Sequence, residues 1–197
     1  MKIVIINYGA GNIQSIKFAI KRLGYDAVLS HDVAEIQNAD KVIFPGVGEA
    51  SSAMRKLRDS GLDTIIPTLK QPVLGICLGM QLMCHSSEEG HTGGLGIFDV
   101  DVVKFRSRNP NEGIKIPQIG WNRIENLNSK LFQNVKEDFV YLVHSYYAPI
   151  CEDTIATCSY GVNYSAALQK DNFYGTQFHP EKSSEVGERI LRNFLSL

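Results

Sequence analysis

The sequence predicts an α/β protein. Its expected form is a single domain with an open, mostly parallel central sheet, helices on both faces, and an added antiparallel β region in the second half. Three observations predict it. Short β-branched runs alternate with amphipathic stretches through the first half, the pattern of parallel strands joined by crossover helices. Successive short strands with few helices between them fill the second half. The length of 197 residues is that of one domain at roughly 150 residues per domain, so residues 1–197 are read as one unit.

The elements follow in order. Residues 2–7 form a short β-branched run, the mark of a buried strand. Tyr8-Gly9-Ala10-Gly11-Asn12 then turns the chain. Ile13, Ile16, Ala19, Ile20 and Leu23 recur at three- and four-residue spacing, an amphipathic helix that Gly24 ends. A second strand is expected near residues 27–30 and a third at residues 41–44. The third stops at Pro45-Gly46-Val47-Gly48, and a helical pattern begins near Glu49. A fourth strand, residues 73–76, runs at once into a helical stretch over residues 78–84. Strands are then expected at 97–105, 119–124, 139–143, 154–160, 166–170 and 174–178, with a closing helix at 184–195.

Composition excludes several classes. Hydrophobic residues are 44% and charged residues 21% of the chain, the range of an ordered globular protein. Lys plus Arg is 20 against 21 Asp plus Glu, a net charge of −1, which lacks the basic surplus of a nucleic-acid binder. No apolar run approaches the ~20 residues of a membrane span. The apolar start is shorter than the ~7–15 residues of a signal-peptide core, so a cytoplasmic location is expected. The four cysteines, Cys77, Cys84, Cys151 and Cys158, contain no C-x-x-C pair and make no disulfide scaffold. Cys84 is read as a core residue two helical turns beyond Cys77. No metal site and no cofactor are expected. Lys104, Arg106, Arg108 and Lys115 gather around residues 107–113 and are read as solvated charge.

The chemistry centres on Gly75-Ile76-Cys77-Leu78-Gly79. A strand runs directly into a helix, with a cysteine at the junction and a glycine two residues away on each side. This is a nucleophile elbow with Cys in place of Ser. The sharp turn lifts the sulfur out of the sheet and sets it at a helix N-terminus, where the dipole and free N–H groups favour thiolate. A thiolate nucleophile needs a base and a group that orients the base. His179, in Gln177-Phe178-His179-Pro180-Glu181, ends a strand pattern, and Pro180 biases it toward extended backbone. Residues i and i+2 of an extended segment share a side, so His179 and Glu181 are expected to project together. The carboxylate would fix the imidazole tautomer and leave the other nitrogen facing the cysteine.

An oxyanion hole is the third requirement. The N–H of Leu78, next after the nucleophile, is one expected donor. The turn Pro45-Gly46-Val47-Gly48, at the carboxyl end of a neighbouring strand, is the expected source of the other. It lacks the Lys-Ser/Thr ending of a phosphate-binding loop, which excludes nucleotide binding there. In Gly9-Ala10-Gly11, Gln14 stands where a dinucleotide fingerprint needs its third glycine, so that turn is read as structural.

Together, Pro45-Gly46-Val47-Gly48, Gly75-Ile76-Cys77-Leu78-Gly79-Met80-Gln81 and His179-Pro180-Glu181 resemble the class I, triad-type glutamine amidotransferases over essentially the whole chain. Asn7-Tyr8-Gly9-Ala10-Gly11-Asn12, Gly120-Trp121-Asn122 and His179-Pro180-Glu181-Lys182-Ser183 narrow the resemblance to the family's branch in histidine biosynthesis. The resemblance implies that Cys77 attacks the side-chain amide of L-glutamine. His179 would take the thiol proton and deliver it to departing ammonia, while Glu181 holds His179. The resulting thioester would be hydrolysed to glutamate. The backbone of Val47 and Leu78 would cradle the oxyanion, with a flip of the Gly46-Val47 peptide among the implied steps. Gly48, Gln81, Glu89, Ser145 and Tyr146 fall where the family grips glutamine, and Glu88 is the neighbour that competes with Glu89.

Ammonia released into water is protonated and lost as a nucleophile. A chain with no room for a synthase domain must therefore hand it to another polypeptide. The resemblance implies a (β/α)8-barrel cyclase subunit in a heterodimer, with Asn12, Trp121, Asn122, Tyr141 and Lys182 near the interface. An exposed Trp suits an interface, whereas core packing is the alternative for Trp121 and Tyr141. A glutaminase subunit serving the pyridoxal phosphate or anthranilate pathway stays open at this point; the intact Cys, His and Glu set argues against a non-catalytic subunit with this fold, and the Glu after His-Pro against a peptidase-like cysteine hydrolase.

Overall fold

The computed structural model describes residues 1–9, 11–106 and 114–197; Ala10 and residues 107–113, Arg108 among them, lie outside the described residues. Strand β1 (Ile3–Ile6) is buried along its whole length. Successive side chains leave opposite faces of a strand. Ile3 and Ile5 join one apolar cluster, while Val4 and Ile6 join the other. A strand covered on both faces must be apolar at every position, which is why this run does not alternate.

Helix α1 (Ile13–Arg22) buries Ile16, Ala19 and Ile20 against the sheet. Gly24, at φ +90°, closes it. The Gly24 N–H donates to Lys21 O at 2.9 Å and the Tyr25 N–H to Ile20 O at 3.3 Å, a paired closure that requires left-handed backbone at the glycine. The chain continues through β2 (Ala27–Ser30), α2 (Val33–Gln37), β3 (Lys41–Phe44), α3 (Ala50–Asp59), α4 (Leu62–Ile65), β4 (Val73–Ile76) and α5 (Leu78–Met83). Helices α2 and α4 have five and four residues, too few for the three-four repeat to show in sequence. A cap starts α2: the Asp32 carboxylate accepts the Glu35 N–H at 2.7 Å.

The second half supplies β5 (Cys84–Ser87), β6 (Thr92–Gly93), β7 (Phe98–Lys104), β8 (Gln118–Arg123), β9 (Phe139–His144), β10 (Tyr146–Tyr147), β11 (Thr154–Ser159), β12 (Asn163–Lys170), β13 (Phe173–Thr176) and α6 (Ser184–Leu195). Among the described residues the main sheet runs β11-β12-β13-β4-β3-β1-β2. Its pairs from β13 to β2 are parallel, and β11 and β12 extend it antiparallel. A smaller sheet runs β10-β7-β5-β6, and β8 pairs with β9. Helices α3 and α5 cover one face of the main sheet, and α1 and α6 cover the other.

One expectation is corrected. The helix after residue 77 stops at Met83, not at 84. Cys84 is extended (φ −70°, ψ 171°) and opens β5 by pairing with Phe98. Cys77 and Cys84 therefore share no helix face; Cys84 is fully buried core, as expected. Cys158 lies in β11 opposite Tyr164, and Cys151 precedes that strand. Of the basic cluster, Arg106 pairs with Glu88 at 3.0 Å on the surface.

Register positions the site. Gly75 of β4 lies beside Phe44 of β3 on one side and Gly175 of β13 on the other. The carboxyl ends of three adjacent parallel strands thus deliver Pro45, Cys77 and Gln177 to one edge, where ligands bind in open α/β sheets. Helix α6 packs directly on the turn that follows β13. A Cβ on Gly187 would fall on Pro180 O and come within 2.8 Å of Ser183 Cβ. Gly187→Ala is expected to cost about 2 kcal/mol of stability and lower the melting temperature by about 5 °C, measured by thermal unfolding.

Candidate active site

Cys77 sits at φ +53°, ψ −110°, a sparsely populated region for a residue with a side chain. Surrounding bonds over-determine it. Its N–H donates to Thr176 O at 2.7 Å, and its carbonyl accepts the Gln81 N–H at 3.2 Å to begin α5. The glycines leave space for three backbones to meet. A Cβ on Gly75 would come within 2.8 Å of Met80 N, one on Gly79 would fall on Phe44 O, and one on Gly46 would lie 2.5 Å from Gly79 N. The Pro45-Gly46-Val47 turn is thereby laid against the first turn of α5. Tyr8 anchors that turn from beneath, its buried hydroxyl donating to Pro45 O at 2.8 Å.

The sulfur of Cys77 faces Val143 O at 3.8 Å and Gln177 Nε2 at 3.7 Å. His179 lines the same cavity as the sulfur, and behind the imidazole the Glu181 carboxylate meets Nδ1 at 2.9 Å. Both members of that pair are buried. Burial opposes charge on His179, but its bond to Glu181 and its proximity to Cys77 prevail and raise its pKa to about 10. His179 Nε2 has no hydrogen-bond partner among the described residues.

The pairing of His179 with Glu181 is as expected; its cause is not. His179 is extended, but Pro180–Lys182 forms a single 3-10 turn, so the carboxylate returns by a turn rather than along a strand. The turn is pinned. Ser183 Oγ donates to His179 O at 2.7 Å and accepts the Tyr141 N–H at 2.9 Å, while the His179 N–H donates to Tyr141 O at 3.0 Å.

A cavity of about 300 Å³ opens over the sulfur, the size of a small-molecule site. Val47, Leu78, Gly48, Gln81, Glu89, Ser145 and Tyr146, named from the sequence, all line it with Cys77 and His179. Glu89 lines the cavity while Glu88 is occupied elsewhere, accepting the Lys104 N–H at 2.8 Å and pairing with Arg106. Burial pushes the Glu89 carboxyl up, and the Ala50 N–H on its Oε2 opposes that shift. Burial also raises the Tyr146 phenol, with Glu89, Glu88 and Glu49 adding to it. The Glu89 carboxyl, with Glu49 and Glu88 near Tyr146, puts acidic groups at the cavity, which suits an ammonium group. The N–H groups at the start of α5 suit developing negative charge near the sulfur.

Pro117, Val143 and His144 also line the cavity, and neither they nor Gln177 were identified from sequence. Their signal is weak: each lies in or beside a short segment with no motif of its own. His144 Nδ1 bonds Tyr146 O at 2.7 Å. Burial is the main cause that lowers its pKa to about 4, so it is neutral at pH 7 and serves as a fixed donor to that carbonyl.

Trp121 is 53% exposed, which overturns core packing for it. It lies opposite Tyr141 in the β8–β9 pair, their rings 6.1 Å apart and edge-on. Lys182 Nζ lies 5.7 Å from the half-buried Tyr141 ring, whose centroid is 6.5 Å from His179. These three residues form one patch beside the candidate triad, extended by exposed Ile119 and Phe139 on the same two strands. Asn122 is engaged elsewhere, its Nδ2 donating to Ser159 O at 2.8 Å. Asn12 occupies the N-cap of α1 without a side-chain capping bond.

Residues 4–197 match the family "Glutamine amidotransferase class-I". A relative from Bacteroides thetaiotaomicron, "Imidazole glycerol phosphate synthase subunit HisH", is 56% identical, with both chains covered in full. A protein of the same name from Pectobacterium atrosepticum is 44% identical, again over all of both chains. Among solved structures, a putative GMP synthase protein from Thermoplasma acidophilum superposes with a TM-score of 0.74 at 22% identity, covering 100% of this chain and 92% of that one. A glutamine amidotransferase crystal structure gives 0.75 at 17%, covering 98% and 97%. At those identities the likeness concerns the fold.

Proposed function

This chain belongs to the class I glutamine amidotransferase family, and from that premise we infer that it is the glutaminase subunit of an imidazole glycerol phosphate synthase. Relatives of that name matching end to end favour this acceptor over the pyridoxal phosphate and anthranilate pathways. The whole of residues 1–197 acts as one glutamine amidotransferase domain. No helix among the described residues is long and apolar enough to cross a membrane. Four unpaired cysteines accord with work in the reducing cytoplasm.

The observation that carries the mechanism is one cavity lined by Cys77, His179 and Glu89, with Glu181 bonded to His179 behind it. Glutamine binds with its ammonium toward Glu89 and Tyr146 and its carboxamide over the sulfur. Cys77 transfers its proton to His179 and attacks the carboxamide carbon. The N–H groups of Val47 and Leu78 receive the oxyanion, which favours the tetrahedral species over the bound amide. His179 returns the proton to nitrogen as the carbon–nitrogen bond breaks, and Glu181 keeps the imidazole aligned throughout. Water, deprotonated by His179, then cleaves the thioester. The sum is glutamine plus water to glutamate plus ammonia.

The acceptor is a (β/α)8-barrel cyclase in a heterodimer, which uses ammonia in forming imidazole glycerol phosphate and aminoimidazole carboxamide ribotide for histidine biosynthesis. The patch of Trp121, Tyr141 and Lys182 is the proposed docking face. Aromatic residues are enriched among interface anchors, and this patch abuts the His179 turn, so docking can bear on the site. Glutamate formation, assayed with and without the cyclase and its ribotide ligand, is expected to rise about 100-fold in the complex, a coupling near the upper end of the usual range. Equal turnover in both states would remove the cyclase from the mechanism.

A further inference from the structure

Gln177 is fully buried between the Cys77 sulfur and Gln81. Hydrogen-bonding capacity fixes which end of its amide faces which neighbour. Tyr146 O can only accept, and it takes Gln81 Nε2 at 2.9 Å, so the NH2 of Gln81 is on that side. The same NH2 lies 2.8 Å from Gln177, where the facing atom must therefore be Oε1. What remains for the sulfur is Gln177 Nε2, at 3.7 Å. The backbone is fixed too, the Gln177 N–H donating to Ala166 O at 2.8 Å.

We propose that Gln177 is a positioning residue for the nucleophile, its amide locked by Gln81 so that an N–H faces Sγ in every protonation state. The proposal rests on the reading of Cys77 as the nucleophile. While the thiol is intact, the S–H can donate to Val143 O. Once the proton moves to His179, that carbonyl repels the anionic sulfur, and the Gln177 N–H becomes the neutral donor that offsets it. A hydrogen bond to an ionised acceptor is about twice as strong as a neutral one. An amide N–H is not acidic, so it steadies the anion without returning a proton. The bond weakens as the thioester forms and sulfur loses its charge, so it does not hold back the acyl intermediate. Other titratable groups around the sulfur are His179 after β13, Tyr8 after β1 and His144 at the end of β9.

The test uses the full chain in complex with the cyclase. Alkylation of Cys77 by iodoacetamide, followed by mass spectrometry from pH 5 to 10, reports thiolate without requiring turnover. Gln177→Met keeps the volume and removes the donor. It is expected to slow alkylation at pH 7 about tenfold, displace the whole pH–rate profile upward, and lower kcat about tenfold with little change in KM. Gln177→Glu keeps the acceptor for Gln81 but sets a carboxyl oxygen against the sulfur, and a larger displacement is expected. A folded Gln177→Met chain with the wild-type profile overturns the proposal. Should neither variant fold, the wild type decides. Its Gln177 side-chain amide protons must shift in NMR with the midpoint of Cys77 alkylation, and their indifference to that step also overturns it. Cys77→Ala in the same glutamine assay separates the two readings. Retained turnover there refutes Cys77 as nucleophile, whereas loss of turnover beside a wild-type Gln177→Met profile refutes only the role of Gln177.

Discussion

Cys77→Ala is expected to lower glutamine hydrolysis by the complex about 10⁵-fold, the scale on which removal of a covalent nucleophile acts. Among the described residues no neighbour replaces the sulfur. Val143 O is an acceptor, Gln177 Nε2 is a neutral amide donor, and His179 is the proposed base. A water attacking in place of sulfur would meet the same proposed oxyanion donors but lack the thioester step that divides the barrier. The fold should change little. Alanine occupies the same φ of +53°, and the cavity already opens over the lost atom, so the melting temperature should stay within about 4 °C, or roughly 1 kcal/mol. Glutamate formation and thermal unfolding, measured on one preparation, separate loss of chemistry from loss of structure. Wild-type turnover in the alanine variant would move the nucleophile elsewhere.

Glu181→Gln is expected to lower kcat about 10³-fold, because an amide at that position can hold the wrong imidazole tautomer. The carboxylate oxygen at 2.9 Å from His179 Nδ1 both orients the ring and compensates its charge. The variant should bring the His179 pKa down from about 10 toward or below the ordinary 6.5, since burial then acts with less opposition. The stability consequence has a definite sign. A histidine whose pKa is higher folded than unfolded binds its proton more tightly when folded. Its contribution is fully present below about pH 6.5 and is lost as pH rises through about 10. Denaturant unfolding of wild type and Glu181→Gln should therefore differ most near pH 6 and converge toward pH 10. NMR titration of His179 gives the pKa directly. A constant stability difference across that range would show that the pair is not charged in the folded protein.

The elbow was legible because its geometry demands residue types. Only a strand-helix junction free of side chains on both flanks lets Phe44, Gly75 and Gly79 backbones pass so closely, and that leaves glycines in the sequence. The parallel core strands were legible because burial on both faces forbids polar residues. The pairing of His179 with Glu181 was foreseen for a partly wrong reason, since a 3-10 turn closes it and i, i+2 proximity survives either backbone. The end of the helix at Met83 was missed. Cys84 is apolar enough to continue a helical pattern, and only pairing with Phe98 in the smaller sheet draws it out.

By itself, the sequence determined the local features: apolar runs on strands, the strained cysteine turn, the histidine followed by a carboxylate, and a nearly balanced charge. These depend on residues within a few positions of one another, where sterics and periodicity act directly. Tertiary structure alone decided which distant groups meet. Strand register set Gln177 against Cys77, 100 positions apart, turned Glu89 into the cavity while Arg106 held Glu88 outside, and left Trp121 in solvent beside Tyr141. Such contacts follow from the order and pairing of strands, and the free energy that selects that order is spread over the whole core rather than written in any short segment.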